Sequence, residues 1–145
     1  MKVLAENRKA YFEYFIESKF EAGLALIGSE VKSLRNESVS LVDTYVQIKN
    51  GEAFAVNMFI GRYDKNNLEK TDERRTRKLL LHKTEIFKLE RAVKEKGYSI
   101  IPLKIYFSGK HAKLEIALAK GKKLYDKKRT IQERDLKREA LREAK

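Results

Sequence analysis

The sequence predicts a mainly β fold, a small antiparallel barrel with two to three flanking helices and a basic C-terminal tail. Three observations carry this. Apolar and polar residues alternate on both sides of Asn50-Gly51 and again around Ser108-Gly109-Lys110, the period-two signature of hairpins. One stretch, His82 to Lys96, switches to helical period. After Ala119 large apolar side chains thin out and charge dominates.

Taken in order, Tyr11 to Leu26 reads as the first strand. Phe12, Tyr14 and Ile16 share one side, and Phe20, Ala22, Leu24 and Leu26 continue that parity. Gly23 inside the run predicts a bend or bulge. Gly28-Ser29 stops the strand, and Ser29 is the expected N-cap of a short helix with Val31 and Leu34 at i and i+3 and Glu30 near its positive end. Val42, Thr44, Val46 and Ile48 then alternate with Asp43, Tyr45, Gln47 and Lys49. Beyond Asn50-Gly51, a type I′ turn, Phe54, Val56, Met58 and Ile60 alternate with Ala53, Ala55, Asn57 and Phe59.

The polar stretch Arg62 to Arg77 reads as a loop. In the helix that follows, Ile86, Leu89 and Val93 fall at i, i+3 and i+7, and Gly97 is the C-terminal stop. In the closing hairpin, Ile101, Leu103, Ile105 and Phe107 share one face, and Ala112, Leu114, Ile116 and Leu118 another. Pro102, without an amide proton, belongs at a strand start or edge. Five or six bent strands with packed helices fit a partly open barrel of the OB type; a two-layer α+β sheet reads similarly. Residues 1–119 make this body and 120–145 the tail. In the tail, Ile131, Leu136 and Leu141 form no single stripe, although Glu133–Lys137, Asp135–Arg138 and Glu139–Arg142 suit a helix. The expectation is a tail disordered alone and helical against a polyanionic partner.

The chain of 145 residues has a net charge of +12, 33 Lys plus Arg against 21 Asp plus Glu. Such a field attracts polyanions, nucleic acid first and an anionic membrane surface second. Absence of cysteine removes disulfides, thiolate catalysis and cysteine-based zinc sites. No run approaches the roughly 18–20 apolar residues of a membrane helix, and the N-terminus turns charged too early for a signal peptide. A soluble, cytoplasmic protein is expected. The two histidines, His82 and His111, are separated by a helix and a strand, and the glycines form no phosphate loop or dinucleotide fingerprint. These patterns argue against an enzyme, and no cofactor or metal site is predicted.

The basic clusters carry more meaning. Lys32 and Arg35 follow Glu30; Arg74, Arg75, Arg77 and Lys78 form one run; Lys120, Lys122 and Lys123 straddle Gly121. Each alone could be a solvated face. With Tyr45, Asn57 and Phe59 they supply what RNA recognition needs: cations for phosphates, planar groups for stacking, and an amide for base edges.

The stretches Asn7-Arg8-Lys9-Ala10, Phe20-Glu21-Ala22-Gly23, Gly28-Ser29-Glu30-Val31-Lys32-Ser33-Leu34-Arg35, Asn57-Met58-Phe59-Ile60, Arg75-Thr76-Arg77-Lys78-Leu79-Leu80-Leu81-His82 and Ala117-Leu118-Ala119-Lys120-Gly121-Lys122-Lys123 resemble the small protein B family in order and spacing. The resemblance covers nearly the whole chain. It implies an OB-type barrel that binds the tRNA-like domain of transfer-messenger RNA and enters the vacant A site of stalled ribosomes. The tail would then probe the empty mRNA channel and decoding centre, becoming helical on the ribosome, and the protein would catalyse no bond change.

Carried onto matching positions, Glu30, Val31, Lys32, Arg35, Asn57 and Met58 fall in or near the RNA-binding surface. To these the residue reading adds Tyr45, Phe59, Arg75, Arg77, Lys78 and Lys120. Lys122, Lys123, Tyr125, Asp126, Lys127, Lys128, Arg129, Ile131, Arg134 and Asp135 form the ribosome-binding tail. Two positions depart from the family pattern: Phe59 stands where His is usual, and Lys128 where Arg is usual, which loses a planar fork. A monomer is expected. The rival readings are a ribosomal protein or translation factor of OB type that binds ribosomal RNA directly, and an adaptor for membranes or acidic proteins acting through the tail.

Overall fold

The computed structural model describes residues 2–62 and 72–122. In chain order these form β1 (Lys2–Glu6), α1 (Ala10–Glu13), β2 (Tyr14–Leu24), α2 (Gly28–Arg35), β3 (Val39–Ser40), β4 (Tyr45–Lys49), β5 (Glu52–Val56), β6 (Phe59–Ile60), β7 (Arg77–Leu80), α3 (Lys83–Lys96), β8 (Ser99–Ser108) and β9 (His111–Gly121). Seven strands make one antiparallel sheet in the order β1-β8-β9-β2-β7-β5-β4, and β3 pairs with β6. The mainly β, antiparallel expectation holds, with three helices among the described residues. The hydrogen-bonded ladder is open, with β1 and β4 as its outer strands. The sheet nevertheless curls far enough to bring β4 against β8 and β3 against β1.

Both predicted hairpins are present. Asn50 and Gly51 take φ of 53° and 75°, the paired left-handed values that a type I′ turn requires, and β4 and β5 pair in register from Tyr45↔Val56 to Lys49↔Glu52. The second strand of that hairpin ends sooner than alternation suggests. Asn57 turns left-handed at φ 67°, which asparagine tolerates better than most side chains. Buried positions therefore switch parity, from Ala53 and Ala55 before the turn to Met58 and Ile60 after it. The single face assigned to Phe54, Val56, Met58 and Ile60 is thus divided, and Phe59–Ile60 leaves the main sheet to pair with Val39–Ser40.

A similar correction applies to the long strands. β2 carries a register shift between Ile16 and Ser18, and β8 one between Pro102 and Lys104. One inserted residue sends all later side chains to the opposite face. Tyr14, Ile16, Ile101 and Leu103 accordingly pack with Ala10, Ala117 and Ala119 in a small cluster. Phe20, Ala22, Leu24, Ile105, Leu114, Ile116 and Leu118 enter the main core on the other side. Pro102 sits buried at the β8 bulge rather than at a strand start. Gly23 makes no bulge; a Cβ there would lie 3.2 Å from the Leu80 Cβ, so glycine permits the close approach of β2 and β7.

Four of the described elements depart from the prediction, among them β3 at Val39–Ser40, where none is expected. The charged N-terminus forms β1, Phe12 belongs to α1 rather than to a strand, and Arg77 opens β7 inside the stretch read as a loop. α2 begins at Gly28, with Ile27 rather than Ser29 at the N-cap position. α3 ends at Gly97 as expected, with φ 69°, but its buried residues are Ile86, Leu89 and Ala92, leaving Val93 exposed. β9 runs to Gly121, two residues beyond the expected end of the body at Ala119.

The parity switch at residue 57 generates a stability prediction. Asn57→Ala should destabilise the protein by about 1–2 kcal/mol through the left-handed backbone and the lost side-chain bond, while Asn57→Gly should cost distinctly less. Urea unfolding of both variants checks it; equal losses would show that the backbone conformation is not the source.

Candidate nucleic-acid interface

The interface is organised by a carboxylate inside the protein. Glu30, in the first turn of α2, is 3% exposed and Arg77, at the start of β7, is 0% exposed. Glu30 Oε1 accepts from the Ile27 amide at 3.1 Å and from Arg75 Nη2 at 2.5 Å. Its Oε2 accepts from Arg75 Nε at 3.1 Å and Arg77 Nε at 2.5 Å. Arg77 spends its other donors on backbone: Nη1 to the carbonyls of Met58 (2.5 Å) and Arg75 (3.1 Å), Nη2 to that of Glu73 (3.1 Å). Ser33, also buried on α2, donates to the Gly61 carbonyl at 2.5 Å.

Burial alone pushes the Glu30 carboxyl up, but hydrogen bonds from Arg75, the Ile27 amide and Arg77 together outweigh it and hold Glu30 below its ordinary value. Burial likewise pushes Arg77 down, with Glu30 opposing; a guanidinium remains protonated at neutral pH regardless. The pair therefore stays ionised, with its lone pairs and protons satisfied by defined partners.

This network ties α2 to two segments, 57–61 and 72–77, and so determines what they display. Arg74 Nη1 donates to the Asn57 carbonyl at 3.0 Å, and its guanidinium lies 5.6 Å from the centre of the Phe59 ring. The Asn57 amide donates to the Asp43 carbonyl at 3.2 Å, fixing the turn that leads into β4 and its exposed Tyr45. Phe59, Arg62, Asp72, Glu73 and Arg74 line an open depression beside this group. A cation over a ring, next to an amide and a further tyrosine, is the chemistry of a nucleic-acid-binding surface.

The predicted residues divide. Lys32 and Arg35 are exposed on α2 and Val31 is half-buried. Glu30, Met58 and Arg77 are interior, so their side chains shape the surface without forming part of it; Met58 offers only its carbonyl to Arg77. Arg75 faces Glu30, whereas Arg74, singled out only as part of a basic run, is the arginine laid over Phe59. Lys78 sits apart, paired with Glu52 at 3.4 Å. Lys120 lies at the far end of β9 with its ammonium 4.7 Å from the Tyr98 ring. Near it, Lys19 stands 5.4 Å from the Tyr11 ring and Lys122 4.9 Å from that of Phe15, both rings about half exposed. Sequence reasoning missed these aromatic partners; the signal was Phe15, which breaks the parity of Tyr14 and Ile16 beside a lysine-rich strand end. His82 and His111 are exposed at the start of α3 and of β9. Lys123, Tyr125, Asp126, Lys127, Lys128, Arg129, Ile131, Arg134 and Asp135 lie outside the described residues, as does the expected change of the tail from disorder to helix.

A buried ion pair, an arginine on an aromatic ring and the separate exposed lysines Lys32, Lys78 and Lys120 on a curled antiparallel sheet describe a polyanion-binding β protein. A family model described as SmpB protein matches residues 4–145. The SsrA-binding protein of Geotalea uraniireducens is 51% identical over 95% of this chain and 91% of its own length. That of Caldicellulosiruptor bescii is 53% identical over 93% and 85%. A chain from the solved structure described as "tmRNA-SmpB: a journey to the center of the bacterial ribosome" superposes with a TM-score of 0.68 at 44% identity, covering 82% of this chain and 84% of that one. The chain belongs to the SmpB family.

Replacing Glu30 by Gln tests the network. The variant leaves Arg77 buried without its counter-charge and should lose about 3–5 kcal/mol of stability at neutral pH. Because the folded carboxyl lies below its ordinary value of 4.5, its contribution is present in full above that range and is lost as pH falls through the folded value. The gap between wild type and Glu30→Gln should therefore narrow in acid. Denaturant titrations at a series of pH values check this; a gap that stays constant into acid would contradict it.

Proposed function

We propose that this protein binds the tRNA-like domain of transfer-messenger RNA and carries it to the A site of ribosomes stalled without a stop codon, for nascent-peptide tagging and release. The observation that carries this reading is the Arg74–Phe59–Asn57 group held by the buried Glu30–Arg77 pair, on a chain whose relatives are SsrA-binding proteins over nearly their full length.

In this reading Lys32, Arg35 and Arg74 meet phosphates, Phe59 and Tyr45 stack on unpaired bases, and Val31 and Asn57 complete the surface. Glu30, Arg75, Arg77 and Met58 hold that surface in shape. Phe59 keeps the stacking that an imidazole there would supply and gives up its hydrogen bond. Lys78 and Lys120 add long-range attraction from more distant positions. The curl that brings β4 against β8 supports a barrel of OB type. The body ends with β9, about two residues past 119, and the tail beyond Gly121 enters the mRNA channel and decoding centre. The protein acts as a monomer in the cytoplasm, without cofactor, and makes and breaks no covalent bond. Among the described residues no helix is long and apolar enough to cross a membrane.

Affinity for the tRNA-like domain against an unrelated hairpin of equal size, across a salt series, tests the reading. Selective binding should weaken with salt at about −0.9 per phosphate neutralised, with ~4–8 phosphates involved. Phe59→Ala should weaken it by about 1–3 kcal/mol. Equal, weak binding to both RNAs would instead favour a protein that binds ribosomal RNA directly. Truncation after Gly121 should retain most affinity while abolishing tagging.

A further inference from the structure

The short helix α1 ends with carbonyls that its own turn cannot satisfy, and it has no basic residue in its last turn. The donors come from the other end of the chain. The Lys122 amide donates to the Glu13 carbonyl at 2.8 Å, continuing the β2–β9 ladder one step past its last rung, Tyr14↔Gly121. Lys122 Nζ donates to the Tyr11 carbonyl at 3.0 Å and stands 4.9 Å from the Phe15 ring. Three contacts from one residue thus bind it to an element more than a hundred positions earlier. Phe15 is 53% exposed and belongs to neither apolar cluster, so the core does not explain its place.

We propose that α1 and Phe15 form a seat for Lys122 that fixes where and in which direction the chain leaves the sheet, making Lys122 a positioning residue of the body. The proposal rests on the reading that residues beyond Gly121 act on the ribosome. Two hydrogen bonds on one residue, from its amide and from its side chain, restrict both its backbone and its rotamer. A chain departing from such an anchor begins in one direction; without it the departure angle is free and the following segment samples a wider volume. The cation over Phe15 adds a contact worth roughly two- to fivefold in an equilibrium. Lys122 is thereby assigned to the body, whereas family resemblance alone groups it with the tail.

A double-mutant cycle on the full-length protein separates seating from direct ribosome contact. The variants are Lys122→Ala, Phe15→Ala, the double variant, Lys122→Arg, and a chain ending at Gly121. Tagging of stalled ribosomes is measured with preformed RNA complexes at saturation, together with hydrogen exchange of the residue-122 amide. Seating predicts that Phe15→Ala slows tagging about two- to fivefold and Lys122→Ala about three- to tenfold, that the double variant is no slower than the worse single, and that Lys122→Arg recovers most of the rate. Phe15→Ala should also speed exchange at the Lys122 amide, a change no ribosome contact would cause. Effects that multiply in the double variant, or an unchanged amide in Phe15→Ala, would overturn the proposal while the Gly121-truncated chain stays inactive. Normal tagging by the truncated chain would overturn the underlying reading of the tail, and the positioning role with it.

Discussion

The surface rests on one buried ion pair. A carboxylate and a guanidinium with essentially no exposure are individually unfavourable in a protein interior, and their attraction offsets desolvation only when the remaining donors and acceptors are also satisfied. Here they are: Glu30 takes an amide and two guanidinium groups, and Arg77 reaches three carbonyls on two separate segments. That requirement for satisfaction makes the pair an organiser. Segments 57–61 and 72–77 can supply those carbonyls only in one arrangement, and that arrangement places Arg74 over Phe59. The charges that matter most for the outer surface are therefore ones that an RNA would never touch.

How much of this could be read from the residues depends on range. The hairpin turn at Asn50-Gly51 and the end of α3 at Gly97 follow from backbone preferences of one or two residues, and both are where they were expected. Face assignments along β2 and β8 failed halfway, because a bulge inserts one residue and reverses everything after it; in β2 no composition signal marks it, and in β8 Pro102 does. β7 was hidden because its first inward position is an arginine, which reads as a loop residue until its partner Glu30 is known. β1 was hidden by its charged ends, Lys2 and Glu6.

At the interface the residue types were legible and their roles were not. Glu30, Arg75 and Arg77 stood out as charged residues in characteristic stretches, which says nothing about inward or outward orientation; burial assigns Glu30 and Arg77 to the frame. Arg74 and Arg75 are neighbours with opposite tasks, one over an exposed ring and one on a buried carboxylate. Arg74 lies within the turn that the Arg75 amide closes on the Asp72 carbonyl, and Arg75 leaves it toward α2; only knowing which side holds Glu30 says which arginine is which. Lys19 meets Tyr11 of α1 and Lys120 meets Tyr98 ahead of β8, but the contact of Lys122 with Phe15 depends on β2 lying beside β9, a pairing between distant parts of the chain.

That pairing also governs how the protein can be made. β2 spans Tyr14 to Leu24, and the strand it needs, β9, starts only at His111. β1 likewise waits for β8. At bacterial elongation speeds of about 5–20 residues per second, β2 emerges roughly 5–20 seconds ahead of its partner, with Phe20, Ala22 and Leu24 still uncovered. The sheet cannot assemble from the N-terminus forward. Its central rungs form only after synthesis has reached the last strand, so folding is late, dominated by distant contacts and slow for a chain of this size. A ribosome that stops before β9 leaves behind a nascent chain whose β2 has only its last two residues, Gly23 and Leu24, paired to β7.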